Sequence, residues 1–273
     1  LVDLLLANNF SVIGLDNYSA GKRENLKLAL SNPAFSEIQG DIRDTNLVNE
    51  ILAEKIDYVF HQAVSKNTVC MNNPMHDLEV NTVGTLNLLQ AAAKFSISRF
   101  VHASTGSVYG AATEFPTKEN HRKDPLSFYG NSKLAAENYV GLFNKFFKLP
   151  TTTLRYFHVY GSRQDDSDFG GVIPLFIRRA LQDSDLHVTG DGNQIRAFTH
   201  VKDVARINLA VVQHTKTIGQ IYNCASETRV SIKTLAEKVL KLANRPPAKI
   251  VHVNSRPGDI YNFDVDSSKI MDD

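Results

Sequence analysis

Short apolar stretches rich in β-branched residues alternate with helical patterns through the first 160 residues of the chain. Stretches of this kind, each followed by an amphipathic helical segment, are typical of strands in βαβ units. The pattern therefore predicts an α/β fold with a doubly wound parallel sheet and right-handed crossovers. The predicted strands are Phe10–Asp16, Ala34–Ile38, Asp57–His61, Arg99–Ser104 and Thr151–Phe157. The predicted helices are Arg23–Leu30, Thr45–Ala53, Pro74–Lys94 and Ser127–Phe147.

From residue 161 the pattern loosens into short runs and loops rich in Gly, Asp and Arg. We therefore expect a sheet domain over residues 1–160 and a smaller region over residues 161–273, some of whose segments return to the sheet. Leu1–Ala7 reads as the middle of an amphipathic helix without a cap, and Asp264–Lys269 reads as the opening of another helix. From these ends we expect a chain truncated at both termini.

The composition narrows the classes of partner. Lys and Arg number 30 against 29 Asp and Glu, so no bulk field attracts nucleic acid or a membrane surface. No apolar run approaches the roughly 20 residues that a membrane span needs. Cys70 and Cys224 form no C-x-x-C pair, which is typical of a reducing compartment and favours the cytoplasm.

The segment Tyr129-Gly130-Asn131-Ser132-Lys133 suggests alcohol chemistry. Residues four apart lie on one face of a helix, so the Lys133 ammonium would stand near the Tyr129 phenol. A nearby positive charge favours the phenolate, and we expect it to lower a phenol pKa of about 10. An upstream hydroxyl, from Ser104, Thr105 or Ser107, could then bind a substrate oxygen. Taken alone, the same spacing is also that of an ordinary exposed helix face.

A second group of residues suggests a dinucleotide site. Asp16 ends a strand that follows a first helix, and an acid there binds the adenosine ribose and favours NAD over NADP. The glycine-rich turn that would hold the pyrophosphate is absent from the sequence, and we expect it before Leu1. The fold would then be Rossmann-like, with its first strand missing from this chain. Otherwise an acid at a strand end is a helix cap or a turn residue.

The following strand ends add further candidates. Asp41 and Ile42 could clasp adenine, although Asp41 could equally be a helix N-cap. In His61-Gln62-Ala63 the small residue would allow close approach of a dinucleotide. Lys66 could reach a phosphate or the substrate, or could simply be solvated.

In this order, the motifs resemble those of the extended short-chain dehydrogenase/reductases. The resemblance covers essentially all 273 residues and is closest to the NAD-dependent nucleotide-sugar epimerase/dehydratase family, in particular its UDP-glucose 4-epimerase-like members. The motifs are Gly14-Leu15-Asp16-Asn17, Gly40-Asp41-Ile42-Arg43-Asp44, Val59-Phe60-His61-Gln62-Ala63, Asn81-Thr82-Val83-Gly84-Thr85, Ser104-Thr105-Gly106-Ser107-Val108-Tyr109-Gly110, Tyr129 with Lys133, Leu154-Arg155-Tyr156-Phe157, Gly190-Asp191-Gly192 with Gln194 and Arg196, and Arg256-Pro257-Gly258-Asp259.

The resemblance implies a role for each matching residue. NAD would be bound by Asp16, Asn17, Asp41, Ile42, Gln62, Ala63, Lys66, Tyr129, Lys133 and Phe157. Tyr129 would be the base, with Lys133 on the nicotinamide ribose and Thr105, beside Ser104, as the catalytic hydroxyl. A UDP-sugar substrate would contact Thr105, Tyr129, His158, Arg196, Arg256, Asp259 and Phe263. We expect no metal site.

Three positions depart from the family pattern. His158 replaces an Asn that usually binds the sugar nucleotide, Ala197 replaces an Asp, and Val64 replaces a smaller residue beside the nicotinamide. Phe263 stands where the family flanks the C2 substituent of the sugar. We expect its ring to favour UDP-glucose and UDP-galactose over their N-acetyl forms, with core packing as the alternative.

The residues after Thr105 bear on the reaction. In the resembled 4,6-dehydratases an Asp-Glu pair follows the catalytic hydroxyl, whereas this chain has Gly106-Ser107, which disfavours elimination of water. The resemblance therefore implies epimerisation at C4 of a UDP-hexose through a 4-keto sugar. The alternatives are another nucleotide-sugar dehydratase, epimerase or reductase of the family, a simple alcohol or steroid dehydrogenase, and a non-catalytic NAD-binding regulator.

The resemblance also implies a homodimer. Its members commonly pair two long helices across a two-fold axis into a four-helix bundle, and the matching helices here are Pro74–Lys94 and Ser127–Phe147. The alternative for their apolar faces is ordinary packing within one chain.

Overall fold

The computed structural model describes residues 1–167, 170–244, 248–254 and 260–273. Its strands are β1 Val12–Asp16, β2 Phe35–Gln39, β3 Tyr58–His61, β4 Arg99–Thr105, β5 Thr151–Tyr156, β6 Val159–Tyr160, β7 Leu186–Thr189, β8 Ile195–Ala197, β9 Thr199–His200, β10 Gln220–Cys224, β11 Arg229–Ser231 and β12 Ile250–Val253.

Its α-helices are α1 Val2–Ala7, α2 Thr45–Leu52, α3 Asn67–Cys70, α4 Pro74–Leu78, α5 Thr85–Lys94, α6 Phe128–Phe147, α7 Val172–Leu181, α8 Val201–Gln213, α9 Ile232–Ala243 and α10 Ser268–Asp272. A π-helical segment, Glu79–Gly84, joins α4 to α5. Short 3₁₀ turns occur at Arg23–Leu26, Ala29–Ser31, Gly106–Tyr109 and Thr215–Thr217.

The centre of the molecule is a parallel sheet in the order β10-β5-β4-β3. A second parallel pair, β1-β2, lies beside it, and among the described residues no ladder joins β1 to β3. The predicted α/β fold with a Rossmann-like parallel sheet is confirmed. Because parallel strands end at a common edge, the residues that follow β3, β4 and β5 lie close together.

Both faces of the sheet are covered, as a parallel sheet requires. Successive side chains of a strand point to opposite faces, so Phe100 and Val101 of β4 enter different cores. Phe100 packs with apolar residues of α2, α5 and α6, and Val101 packs with those of α1 and α8. The site described below lies at the edge of the face that carries α6.

Residues beyond 160 divide between two places. A separate apolar cluster forms from α7, β7 and α9, around Phe176, Leu186 and Ala236. In contrast, β10 pairs with β5, and α8 packs against the central sheet. The later part of the chain therefore contributes both a small peripheral core and an outer strand of the main sheet.

The long predicted helices are confirmed. Residues 74–94 are helical throughout, and α6 begins after Ser127, whose Oγ accepts a hydrogen bond from the Gly130 backbone N–H at 3.0 Å. Such a cap fixes where the helix starts and hence which residues face inward. At its other end Lys148 takes the left-handed conformation, with φ of 56°.

The helix predicted over Arg23–Leu30 is wrong in type, since the structure has two short 3₁₀ turns there. The first turn buries none of its residues, and the second buries only Ala29. A helix in water is stabilised chiefly by the packing of an apolar face, and few side chains of this segment are packed. Arg23 instead reaches outward to an ion pair with Glu37 at 2.6 Å.

Candidate active site

A cavity of about 260 Å³ opens at the edge where β3, β4 and β5 end. Its walls come from these strand ends, from the residues after them and from the first turns of α6. They include Gln62, Ser104, Thr105, Tyr129, Lys133 and His158. The structure thus brings together side chains that are up to 97 residues apart in the sequence, from Gln62 to Val159.

Tyr129 and Thr105 form the reactive face of this cavity. Burial raises the pKa of the Tyr129 phenol, while a hydrogen bond with the Thr105 hydroxyl acts in the opposite direction. Thr105 also caps the next turn, because its Oγ1 accepts from the Ser107 backbone N–H at 3.2 Å. The phenol and a positioned hydroxyl are therefore available to the same substrate oxygen.

Lys133 lies one helical turn beyond Tyr129 and is only 2 % exposed. Burial lowers the pKa of its ammonium to about 8, and the carboxylates of Glu137 and Asp77 oppose this fall. The buried rings of His61 and His102 lie near the same ammonium, and its charge helps to keep both imidazoles neutral. Lys133 is thus a cation in a poorly solvated place.

The expectation that Lys133 lowers the pKa of Tyr129 is wrong for this structure. The pKa of the phenol is raised, because loss of solvation outweighs the stabilising contacts. The carboxylate of Asp77 adds to the rise, since a negative charge opposes formation of the phenolate. Tyr129 is therefore a protonated phenol at neutral pH.

Of the three candidate hydroxyls, Ser104 and Thr105 have different surroundings. Ser104 donates to Glu137 Oε2 at 2.9 Å, and the same carboxylate pairs with Arg155. The Ser104 hydroxyl is therefore committed to a buried network, although the residue lines the cavity. The Thr105 hydroxyl lines the same cavity as Tyr129, and it donates to Ser107 Oγ at 3.3 Å.

The predicted adenosine residues lie together at the ends of β1 and β2. The exposed carboxylate of Asp16 accepts from the Tyr18 backbone N–H at 2.8 Å. Asn17 donates to Asp41 Oδ2 at 2.8 Å, and Arg43 pairs with the same carboxylate at 2.8 Å. The guanidinium of Arg43 holds the pKa of Asp41 well below its usual range. Asp41 therefore carries a negative charge over the whole physiological range.

The other predicted cofactor residues differ in their accessibility. Gln62 is exposed, lines the cavity and donates to Asn208 Oδ1 at 3.2 Å. Ala63 packs against the core, and Ile42 is 8 % exposed and belongs to that core. Lys66 forms an ion pair with Asp165 at 2.7 Å. Of these four, only Gln62 is a wall of the described cavity.

Phe157 is 2 % exposed and packs away from solvent. Its ring stacks on Tyr109 at a centroid distance of 6.3 Å and meets Phe263 edge-on at 6.1 Å. A Cβ on Gly106 would lie 2.2 Å from the Phe157 ring, so residue 106 must be glycine while the ring stays in place. Phe157 is not one of the described residues that line the cavity.

Three predicted substrate residues contact one another, and one of them, His158, lines the cavity. The His158 ring contacts Phe263 edge-on, with centroids 4.7 Å apart, and the Arg196 guanidinium lies 5.2 Å from the centre of the Phe263 ring. Burial, and then the charge of Arg196, lowers the pKa of His158 to about 3, so the imidazole is neutral. Its buried Nδ1 has no hydrogen-bond partner in the described structure.

Two predicted substrate residues, Arg256 and Asp259, lie outside the described residues. Among the residues that are described, no group of three or more His, Cys, Asp or Glu is placed to hold a metal ion. No helix in that part of the chain is long and apolar enough to cross a bilayer.

Several residues of the site were missed by sequence reasoning. Tyr156 lines the cavity, and its phenol accepts from Asn208 Nδ2 at 2.7 Å. Asp165 supplies the partner of Lys66, and Asp77 and Asn81 pack against the start of α6. Tyr156 and Asn81 stand inside motifs quoted above, which was a usable signal. Asp77 and Asp165 stand in no such motif. Asp165 pairs with Lys66, which is distant in sequence, and Asp77 packs against another helix.

Comparison with known proteins places these residues in a family context. Residues 1–225 match the model of the NAD dependent epimerase/dehydratase family. The chain is 35% identical over 271 residues to a putative UDP-glucose 4-epimerase of Methanocaldococcus jannaschii, covering 98% of this chain and 86% of that protein.

Two solved structures of nucleotide-sugar 4-epimerases are also similar to this chain. A UDP-glucose 4-epimerase of Thermotoga maritima, determined with UDP-glucose, has a TM-score of 0.93 at 30% identity, covering 99% of this chain and 86% of that one. A UDP-N-acetylglucosamine 4-epimerase of Methanobrevibacter ruminantium, in complex with UDP-N-acetylmuramic acid, has the same TM-score, identity and coverage. The proteins with similar structures thus include epimerases named for sugars with and without an N-acetyl group.

The buried ammonium of Lys133 predicts a specific pH dependence of stability. Its folded pKa of about 8 lies below the ordinary value of 10.5, so between these values the unfolded chain holds a proton that the folded chain has lost. Unfolding then takes up a proton, and stability rises with pH by up to about 1.4 kcal/mol per pH unit.

Urea unfolding at a series of pH values checks this expectation. Lys133→Met should lose the rise between pH 8 and pH 10.5 relative to the wild type. Lys238→Met, at an exposed position of α9, should follow the wild-type curve. Parallel curves for the wild type and Lys133→Met would contradict the assignment.

Proposed function

Since the chain belongs to the NAD dependent epimerase/dehydratase family, whose cofactor is NAD, we propose that it epimerises a UDP-hexose at C4, of the UDP-glucose/UDP-galactose type. The observation that carries the proposal is the meeting of the Tyr129 phenol, the Thr105 hydroxyl and Lys133 in one cavity. These groups can move a proton to and from an alcohol oxygen.

The residues present fit NAD by their chemistry. Asp16 and Asp41 offer acceptors to the hydroxyl groups and amine of an adenosine, and both stand at the ends of neighbouring parallel strands. Lys133 offers a buried donor at the cavity, where it would hold the nicotinamide ribose. We assign the adenosine to Asp16, Asn17 and Asp41. Ile42, Gln62, Ala63, Lys66 and Phe157 keep their proposed places along the cofactor.

When bound, NAD supplies the acceptor for the hydride that leaves C4 of the sugar and returns it to the opposite face. Tyr129 as phenolate takes the proton of the C4 hydroxyl, and as phenol it gives the proton back to the ketone oxygen. Thr105 holds that oxygen and stabilises the phenolate by its hydrogen bond. The burial that raises the Tyr129 pKa favours the proton-donating form.

The residues after Thr105 support epimerisation over dehydration. Elimination of water would need an acid and a base near the sugar, and Gly106-Ser107 supplies no carboxylate there. An aspartate at position 106 would bring its Cβ to within 2.2 Å of the Phe157 ring. The alternative that remains is another nucleotide-sugar reaction of the family, such as epimerisation of an N-acetylated or carboxylated sugar.

The cluster of Arg196, His158 and Phe263, which adjoins the cavity through His158, supports a diphosphate ligand. Arg196 is 7 % exposed and brings a guanidinium to the same cluster as His158 and Phe263. A planar guanidinium gives charge-assisted hydrogen bonds to phosphate oxygens. We propose that Arg196 and Arg256 hold the diphosphate of the UDP-sugar, that His158 contacts the sugar, and that Asp259 contacts another part of the substrate. A simple alcohol dehydrogenase would have no use for this cation.

We also propose that the protein is a homodimer. Apolar side chains are exposed on both of the long helical segments that would form a four-helix bundle. They are Met75, Leu78 and Val83 on residues 74–94, and Tyr139, Leu142 and Phe146 on α6. Neither Cys70 nor Cys224 forms a disulfide, and we keep the reducing cytoplasm as the proposed compartment.

The role of Tyr129 predicts that Tyr129→Phe abolishes interconversion of UDP-glucose and UDP-galactose. The loss of a general base should lower kcat by about 10²–10⁴-fold, while bound NAD is retained because the ring remains. A coupled assay of the sugars measures the interconversion, and the absorbance of released cofactor measures how much NAD was bound. Tyr139→Phe, on the same helix and 38 % exposed, should behave as the wild type. A wild-type rate in Tyr129→Phe, or release of NADH at every turnover, would refute the mechanism.

The position of Phe263 predicts that Phe263→Ser widens the choice of sugar. Removing the ring should raise kcat/KM for UDP-N-acetylglucosamine relative to UDP-glucose by about tenfold or more. Leu242→Ser, at an exposed position of α9, should leave this ratio unchanged. The ratio is the measure because Phe263 also packs against Phe157, so absolute rates would fall in either case. An unchanged ratio would assign Phe263 to core packing.

The proposed dimer predicts a mass twice that of one chain in light scattering. Leu142→Lys with Phe146→Lys should convert it to a monomer, because burying two ammonium groups in an apolar interface is unfavourable. Leu181→Lys, on an exposed apolar position of α7, is the matched control and should remain dimeric. A monomeric wild type would contradict the proposed four-helix bundle.

A further inference from the structure

Asp77 is a buried carboxylate that the proposed mechanism leaves unused. It lies on α4 and is 1 % exposed, and α4 packs against α6. A buried charge is unfavourable unless it is hydrogen-bonded or paired, so its surroundings indicate its role.

A chain of hydrogen bonds links Asp77 to the start of α6. Asn81 Nδ2 donates to Asp77 Oδ1 at 2.8 Å and to Ser132 Oγ at 3.1 Å. Ser132 Oγ in turn donates to the Tyr129 backbone carbonyl at 3.1 Å. Ser132 lies between Tyr129 and Lys133 in the sequence, so the chain ends on the turn that carries both groups.

The π-helical segment gives Asn81 its reach. Its wider turn lets one side chain contact α4, α6 and the loop after β3. On the loop side, Asn81 Oδ1 accepts from the Ser65 backbone N–H at 2.8 Å. The backbone is held as well, since Thr82 Oγ1 donates to the Ser132 carbonyl at 2.9 Å.

Several titratable groups face the Tyr129–Lys133 pair from the elements around it. Asp77 on α4 and Cys70 on α3 act on Tyr129, and Asp77 and Glu137 act on Lys133. From the sheet, His61 and His102 are neutral because they are buried. Asp77 therefore acts on both members of the pair, and from outside their own helix.

We propose that Asp77 is a positioning residue of the Tyr129–Lys133 pair, which holds the first turns of α6 through Asn81 and Ser132 and supplies a negative charge that faces both groups. The inference rests on the proposed function for its kinetic consequences. Its electrostatic consequence, on the Tyr129 phenol itself, does not.

Two substitutions separate the hydrogen bonds from the charge. Asp77→Asn keeps an acceptor for Asn81 and can bond Ser132 through its amide, but it removes the charge. Asp77→Ala removes both. Asp203→Asn, at an exposed position of α8, is the matched control for loss of a carboxylate.

The kinetic experiment uses the full-length, NAD-loaded protein with UDP-glucose. In Asp77→Ala we expect kcat to fall about tenfold to a hundredfold, because Tyr129 and Lys133 are misplaced, with KM for UDP-glucose unchanged. In Asp77→Asn we expect kcat on the pH plateau within about twofold of the wild type, because the hydrogen bonds survive. Its acid limb should move to lower pH, since no negative charge opposes the phenolate.

The second readout needs no substrate. Ultraviolet absorbance follows phenolate formation as pH rises, and subtracting the titration of Tyr129→Phe isolates Tyr129. In Asp77→Asn this titration should move to lower pH, whereas Asp203→Asn should leave it in place. An unshifted titration in Asp77→Asn, or a wild-type kcat in a folded Asp77→Ala, overturns the proposal. If the wild type does not turn over UDP-glucose, the proposed function fails while the titration still decides the role of Asp77.

Discussion

The buried ion pair between Arg155 and Glu137 is the contact on which the site depends. Both side chains are almost fully excluded from solvent, at 0% and 3% exposure, and such a pair is stable only when its remaining hydrogen-bonding groups are satisfied. They are satisfied by the site: Ser104 donates to the carboxylate, and Arg155 donates to the Tyr109 phenol at 2.6 Å. The pair therefore joins β5, α6 and the end of β4. Glu137 lies one turn after Lys133, and Ser104 precedes Thr105, so one contact orients both sides of the cavity.

Poor solvation is the second constraint, and it determines the protonation of the reactive groups. The same burial that raises the pKa of Tyr129 lowers that of Lys133 and keeps His158 neutral. In a site of low polarity, a charge brought by a ligand acts strongly on its neighbours. The ionisation of Tyr129 therefore depends on which charges stand beside it.

Local patterns allowed much of this fold to be predicted, and long-range packing accounts for what was missed. The strands and the two long helices follow from hydrophobic period and caps, and the spacing of Tyr129 and Lys133 follows from helix geometry. The burial of Lys133 depends on the packing of α6 against elements distant in sequence, which the spacing does not describe. Asp165 is 99 residues from Lys66, and no local signal connects them. The segment at Arg23 has helical residues, but its apolar side chains Leu28 and Leu30 are exposed and are not packed against the core.

The contact between Gly106 and the Phe157 ring constrains how the reaction could diverge. A dehydratase derived from such a chain would need a carboxylate next to Thr105, and at position 106 any Cβ meets the ring at 2.2 Å. The ring itself is wedged between Tyr109 and Phe263. A lineage could acquire the acid at position 106 only after Phe157 had shrunk or shifted. The order of these two substitutions is therefore fixed by sterics, and each intermediate must still close the core around the vacated space.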